Sequence, residues 1–339
     1  MTDSGSPPPS QALRRLINGY QVSQAIHVAA TLGIADELAA GPRTSDDLAE
    51  ATAMHPRSLY RLLRALASAG VLEEKGERKF ALTPLGECLR RDSPVPLRGW
   101  AAFIGRPYHW HAWADLLHSV RTGENAFRHV HGVDPWQYRE REPEESQVFD
   151  RAMTDLTRAS VRALLDAYDF GRFGVVVDVG GGRGALLADL LGEYQSVRGV
   201  LFDQPHVVAG AAEILAAAGV DDRCEVVGGD FFEAVPSGGD AYVLKAIVHD
   251  WEDGEALSIL GSCRRAMTPG GALLVVERDL GLPNESPDAK FSDLNMFVAP
   301  GGQERTVDEY RALFETAGFR LVGVTPTSSG LGVIEGSPA

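Results

Sequence analysis

The chain has 339 residues, 44% of them hydrophobic and 23% charged, as expected for a soluble globular protein of two domains or one large one. A net charge of −15 and a pI near 5.0 argue against nucleic acid as a partner, because neutralising phosphates needs a basic surface. No run of about 18 apolar residues marks a membrane span, and the opening M-T-D-S-G-S-P-P-P-S reads as a disordered tail without a signal-peptide pattern.

Residues 12–38 form a predicted helix, since Leu13, Leu16, Ile17, Tyr20, Val22, Ile26, Ala29, Ala30 and Ile34 recur at spacings of three and four. The apolar stripe is wide, which implies burial on more than one side. Thr44-Ser45-Asp46-Asp47-Leu48 caps a short helix, and His55-Pro56 starts another that Gly70 stops. Residues 71–74 and 78–82 then read as a two-stranded wing, giving a winged-helix pattern. Residues 1–95 carry eleven Lys/Arg and eleven Asp/Glu, whereas a DNA reader should be basic. Arg57, Arg61 and Arg64 on the second helix therefore read as a solvated or ion-paired face, and the unit as one for packing or dimerisation.

From residue 97 to about residue 168 the chain looks helical and rich in aromatics, among them Trp100, Tyr108, Trp110, Trp113, Phe127, Trp136, Tyr138 and Phe149. These are either core or the wall of an aromatic-substrate pocket. Strands and helices then alternate: strand 175–179, helix 185–191, strand 198–202, helix 207–218, strands 224–227 and 241–244, helix 254–267, strand 272–277, helix 307–317, and strands 319–324 and 332–335. Such alternation implies a doubly wound parallel sheet. The last two strands are joined too tightly for a crossover helix, so they should pair as a hairpin and make one strand antiparallel.

The segment V-V-V-D-V-G-G-G-R-G-A-L-L at 175–187 is a strand, a glycine turn and a helix, the form of a nucleotide-type site. Gly180, Gly182 and Ala185 satisfy a dinucleotide fingerprint, with Asp203 about 20 residues on. Three features favour S-adenosylmethionine (SAM) instead. Asp178 would repel a pyrophosphate but not the ammonium and sulfonium of SAM. Asp230, in V-V-G-G-D-F-F, is placed at the next βα step to meet an adenine amino group. Finally, Leu244-Lys245 leads into His249-Asp250-Trp251, which supplies a candidate base. Methyl transfer is an in-line displacement at an activated carbon, so the enzyme must align the acceptor oxygen about 3 Å from the methyl. It must also remove a phenolic proton, which an imidazole can take.

The motifs D-V-G-G-G-R-G, L-F-D-Q-P, G-D-F-F, L-K-A-I-V-H-D-W, A-L-L-V-V-E-R and P-G-G-Q-E-R-T together resemble the class I SAM-dependent O-methyltransferases of the plant caffeate/flavonoid and bacterial polyketide-tailoring (hydroxyneurosporene-type) family. The resemblance runs from Tyr20 to Gly336. It implies an α/β fold: a Rossmann-like, seven-stranded SAM-methyltransferase domain over 168–339. Before it would lie a mostly helical, winged-helix-like dimerisation domain over 12–95 and a helical connector lining the acceptor pocket over 96–167. It also implies SAM as cofactor, a homodimer through the N-terminal domain, an aromatic or polyketide-like acceptor, and no resident metal. Carried over by position, Asp178, Gly180 and Gly182 belong to the cofactor loop, and Asp203 accepts the ribose hydroxyls. Asp230 and Phe231 frame the adenine, and Lys245 contributes mainly through its backbone. His249 is the general base, flanked by Glu277 and Glu304. Phe149, Met153, Asn295 and Met296 line the acceptor pocket.

Several rival readings stand beside this one. Glu304 could be a helix-capping acid before Thr306. The pairs His109/His111 and His129/His131 suggest a metal, but without a spaced acidic ligand set they read as pocket wall or surface. Cys88, Cys224 and Cys263 have no redox or metal spacing, which fits a reducing cytoplasm. N-methylation, non-methyl-transfer chemistry on the SAM fold, and a SAM-sensing DNA-binding regulator are the functional alternatives.

Overall fold

The structure, a computed structural model, describes residues 7–339; it divides into two units, one ending at Pro107 and one running from Tyr108 to Ala339. Residues 1–6 of the expected tail lie outside the described residues, and the remainder of it turns helical at Pro9.

In the first unit the helix expected over 12–38 is three helices, Pro9–Ile17, Gly19–Leu32 and Ile34–Glu37. Asn18 leaves helical geometry between the first two, and Gly33 ends the second in the left-handed region at φ 71°, a conformation glycine takes without penalty. Strand β1 (Arg43–Thr44) precedes helix Ser45–Ala51, whose N-terminus is closed by a reciprocal Thr44–Asp47 capping box. Helix Pro56–Ser68 follows, then β2 (Leu72–Glu74) and β3 (Lys79–Leu82), which form a three-stranded antiparallel sheet in the order β1-β3-β2. Leu59, Leu63 and Leu66 recur at helical spacing and bury against Leu48 and Phe80. Helix Arg98–Ile104 packs on Gly19–Leu32, where His27 Nδ1 lies 3.2 Å from the Ala101 carbonyl. Only the later part of the wide apolar stripe is buried within the chain: Ala29, Ala30 and Ile34 join the core, while Leu13, Leu16, Ile17 and Tyr20 are all exposed.

The second unit begins with short helices and the long Pro143–Ala167. Its sheet contains β4 (Val175–Val179), β5 (Arg198–Asp203), β6 (Cys224–Gly228), β7 (Ala241–Lys245), β8 (Ala272–Glu277), β9 (Phe319–Pro326) and β10 (Gly332–Pro338). The order is β6-β5-β4-β7-β8-β10-β9, parallel except for β10, which runs antiparallel to both neighbours. This is the expected seven-stranded methyltransferase sheet with its terminal hairpin.

Alternation along the strands sorts residues between two cores, one on each face. Val176, Val243, Leu274 and Val276 join one; Val177, Leu244, Leu273 and Val275 join the other. The expected helix 207–218 is two, Pro205–Val208 and Ala211–Ala218, separated at Gly210. Helix Pro287–Val298 has no counterpart in the sequence reading. Because β4 to β8 run parallel, their C-terminal ends share one edge, where ligands of such sheets bind. Asp178, Asp203, Lys245 and Glu277 all lie at or one residue before those ends.

Leu274 is 0% exposed in a central strand. Leu274→Ala is expected to cost about 2–5 kcal/mol, read as a lower urea midpoint at unchanged m-value.

Candidate active site

Strand β7 ends at Lys245, and the chain then turns through Ala246, at φ 55°, into the short 3-10 turn Val248–Asp250 that carries His249. Adjacent β8 ends on Glu277, whose Oε1 accepts the backbone N–H of Ile247 (3.0 Å) and of His249 (3.3 Å). Its other oxygen lies 3.3 Å from His249 Nδ1 and has no hydrogen-bond partner. Glu304 Oε1 accepts from His249 Nδ1 at 2.9 Å and from the Ser292 hydroxyl at 2.6 Å. The second ring nitrogen, Nε2, is 3.7 Å from Asp250 Oδ1.

Glu277 and Glu304 are buried, and His249 keeps 14% side-chain exposure. Burial by itself would lower the His249 pKa, but the carboxylates of Glu277, Glu304 and Asp250 outweigh it and raise the pKa to about 10. Burial raises Glu277 to about 7 against the pull of His249. For Glu304 burial also works upward, yet the hydrogen bond from His249 prevails and its pKa is lowered. Burial likewise raises Asp250, to about 6, with His249 opposing. The cluster is an imidazole with Nδ1 committed to carboxylates and Nε2 left for a reacting group.

Two residues of P-G-G-Q-E-R-T seat this turn, and the sequence reading assigned neither a role. Arg305 is 2% exposed; it donates to the carbonyls of Val248 (3.1 Å) and Trp251 (2.9 Å) and to Asp253 (2.8 Å). Gly302 lies so close that an added Cβ would sit 2.2 Å from the His249 carbonyl oxygen. Ser292 was also missed, because it reaches Glu304 from a helix that periodicity did not reveal. Helix Val307–Thr316 is capped by a Thr306–Glu309 box, so capping does not occupy Glu304.

The cofactor-loop residues form the neighbouring part of the sheet edge. Asp178 is 1% exposed, and its Oδ2 has no hydrogen-bond partner. Burial raises it to about 7, with Lys245 opposing. An added Cβ on Gly181 would lie 2.4 Å from that oxygen, whereas one on Gly182 (φ 60°) would meet nothing within 4 Å. The loop thus packs closely on a buried carboxylate oxygen that has no hydrogen-bond partner, and is open at Gly182. Gly180 precedes it at φ 71°. Asp203 accepts from the Gly182 (2.8 Å) and Gln204 (2.7 Å) backbone N–H groups; burial raises its pKa against those bonds. Asp230 is exposed and accepts from Phe232 N at 2.8 Å. The Phe231 ring meets the Trp251 ring edge-on at 5.9 Å. The Lys245 side chain crosses to helix Pro143–Ala167, donating to Thr157 Oγ1 at 3.3 Å, and feels both Asp178 and Glu277.

Of the acceptor-side residues, Phe149 packs edge-on to Trp136 at 6.0 Å, and Trp136 stacks on Trp251 at 6.0 Å. Met153 is half-buried one turn further along the Phe149 helix. Asn295 Oδ1 accepts from Trp113 Nε1 at 3.0 Å, and Met296 is buried beside it on the helix that carries Ser292.

The four histidines of the paired motifs regroup, with the His111 and His131 rings 6.4 Å apart. His109 is buried, and burial lowers its pKa to about 4. His131 donates to the Tyr108 carbonyl at 2.9 Å. His129 instead stacks on His118 at 3.7 Å and bonds Asp115 at 2.6 Å. The ligand atoms of Asp115, His118 and His129 lie within 4.8 Å of one another, as do those of His249, Glu277 and Glu304, a spacing that could hold a metal ion.

Residues 113–320 match an O-methyltransferase domain and residues 14–92 an O-methyltransferase dimerisation domain. The chain is 44% identical to a phenazine O-methyltransferase, PhzM, of Lysobacter antibioticus, over 99% of this chain and 98% of that one. It is 40% identical to an 8-amino-8-demethylriboflavin N,N-dimethyltransferase of Streptomyces davaonensis, over 93% and 91%. Among solved structures it is similar, at TM-score 0.77 and 34% identity over 94% of this chain and 96% of that one, to the O-methyltransferase NcsB1 of neocarzinostatin biosynthesis with SAM and 2-hydroxy-5-methyl naphthoic acid bound. The chain belongs to the O-methyltransferase family whose two domains it matches. SAM is its cofactor.

Gly302→Ala is expected to push the His249 turn aside. A displacement near 1 Å at the reacting atoms lowers turnover by about 10²-fold, while calorimetry should find SAM affinity unchanged.

Proposed function

We propose that the chain methylates a hydroxyl group of an aromatic or polyketide-like small molecule in bacterial secondary metabolism, with His249 as general base. The observation that carries this is the imidazole held at Nδ1 by two buried carboxylates, with Nε2 unclaimed by either. Bound SAM supplies a methyl carbon already activated by its sulfonium. The protein needs no nucleophile of its own; it has to hold the acceptor and dispose of a proton. A phenol has a pKa near 10, and the carboxylates raise His249, which makes the imidazole a stronger base toward that proton while reducing its deprotonated share at neutral pH. Glu277 and Glu304 act as positioning residues: one fixes the turn and both stabilise the imidazolium. Asp178, Gly180 and Gly182 would hold the amino-acid end of SAM, Asp203 the ribose, and Asp230 with Phe231 the adenine. Phe149, Met153, Asn295 and Met296 would bound the acceptor. An amine acceptor, as the name of the riboflavin-analogue relative states for that protein, would need such a base less.

The first unit would form a homodimer through Leu13, Leu16, Ile17 and Tyr20, whose exposure in the single chain is that of a face awaiting a second copy. Its charge neutrality speaks against a DNA-binding regulator. No helix among the described residues is long and apolar enough to cross a membrane, and all three cysteines are free, in keeping with a cytoplasmic enzyme.

His249→Ala is expected to lower kcat by about 10²–10⁴-fold with SAM affinity within about twofold; lost SAM binding in a folded variant would contradict the assignment. Because the base works deprotonated, the wild-type rate should climb with pH toward about 10. Glu304→Gln removes one carboxylate, lowers the imidazole pKa and should move that climb to lower pH. Leu16→Asp should convert dimer to monomer in light-scattering chromatography.

A further inference from the structure

A second cation is buried within electrostatic reach of Asp250, the residue after His249. Arg139, in the last turn of helix Pro135–Arg141, is 7% exposed. Its guanidinium lies 4.5 Å from the centre of the Trp136 ring and 3.8 Å from that of Phe149. Aromatic faces attract a cation, but they do not satisfy the five in-plane N–H donors of a guanidinium. Burial lowers its pKa, opposed by the Tyr108 phenol, to which it also hydrogen-bonds, and by the Asp250 and Asp150 carboxylates; yet among the described residues no carboxylate oxygen comes within 4.0 Å of its nitrogens. Beside it, Trp136 Nε1 is buried with no acceptor.

The surroundings tie this pair of donors to the reacting group. Trp136 stacks on Trp251 at 6.0 Å and 20°, and Trp251 stands two residues after the base. Asp250, one of the carboxylates that favours the Arg139 charge, is 3.7 Å from His249 Nε2, the nitrogen left for the acceptor. A buried cation without a paired anion is costly. A guanidinium fork with an indole N–H beside it is a donor set for a planar anion, and the flanking rings suit a flat molecule.

We propose that Arg139, with Trp136 Nε1, binds a carboxylate carried by the acceptor, so that the substrates are hydroxylated aromatic acids. This rests on the reading of His249 as the base for an aromatic hydroxyl. Arg139 is then a specificity residue that the acid touches, distinct from the groups that move the proton.

The test compares hydroxylated benzoic, naphthoic and phenazine-carboxylic acids, each against its primary carboxamide. Binding to protein loaded with S-adenosylhomocysteine is measured by calorimetry, and transfer from labelled SAM is scored separately. Wild type should bind at least one acid about 30-fold more tightly than its amide, the scale of a buried charge-assisted hydrogen bond. Arg139→Met should bring that ratio to within about threefold, with the amide and S-adenosylhomocysteine affinities unchanged, and Arg139→Lys, which keeps charge without the fork, should fall between. A purely structural arginine would weaken acid and amide alike, and that result overturns the proposal. So does wild-type protein that prefers no acid on any scaffold. Amides methylated as efficiently as acids would sink the Arg139 assignment while leaving methyl transfer standing. Binding without transfer to any acceptor would count against the methyl-transfer reading and leave the binding ratios to decide Arg139.

Discussion

Everything in the second unit is arranged around the dry encounter of one imidazole with two carboxylates. Neither glutamate is kept there by solvation, since Glu277 and Glu304 are both buried. What holds them is hydrogen bonding: two backbone N–H groups on Glu277, and a serine hydroxyl with the imidazole on Glu304. Charge in such a place is tolerable only when opposite charge is present. The protonated imidazole therefore stabilises the carboxylates as much as they stabilise it. Glu277 is the point where fold and chemistry coincide, because one of its oxygens shapes the turn and the other faces the ring.

Along the sheet edge the same rule recurs with alternating sign. Asp178 lies under the cofactor loop, Lys245 stands within electrostatic reach of both Asp178 and Glu277, and His249 follows. Each group is desolvated, and each has an opposite charge near it. Asp178, Glu277 and Glu304 each keep one buried oxygen without a hydrogen-bond partner, so the balance there is electrostatic. A site built this way is poorly organised in water and well organised around a cation.

The parts legible in the sequence were those governed by local rules. Short continuous apolar runs and the glycine turn after Val179 located the strands and the cofactor loop, and the tight connection before β10 pointed to the antiparallel hairpin. Missed features had non-local causes. Helix 12–38 breaks at Asn18 and Gly33, where an unbroken apolar period masked the stops. Helix Pro287–Val298 exposes Phe291 while burying Met296, so its periodicity is blurred. Arg305 and Ser292 act on residues far away in the chain, and no spacing announces that. The contacts of the histidine pairs are equally non-local: His129 meets His118 and Asp115 across two helices, not its neighbour His131. Arg139 gave no sign of burial, because a charged residue in a polar run reads as surface.

The order of strands has a temporal consequence. Strand β8, which ends on Glu277, has β7 on one side and β10 on the other, and β10 is the last of the seven in sequence. During synthesis β8 leaves the ribosome with one edge unpaired, and β9 has no seat until the strand after it arrives. The catalytic turn thus acquires its final support only when the sheet is closed from the far end, and a chain interrupted within β10 would present an open, apolar strand edge to its neighbours.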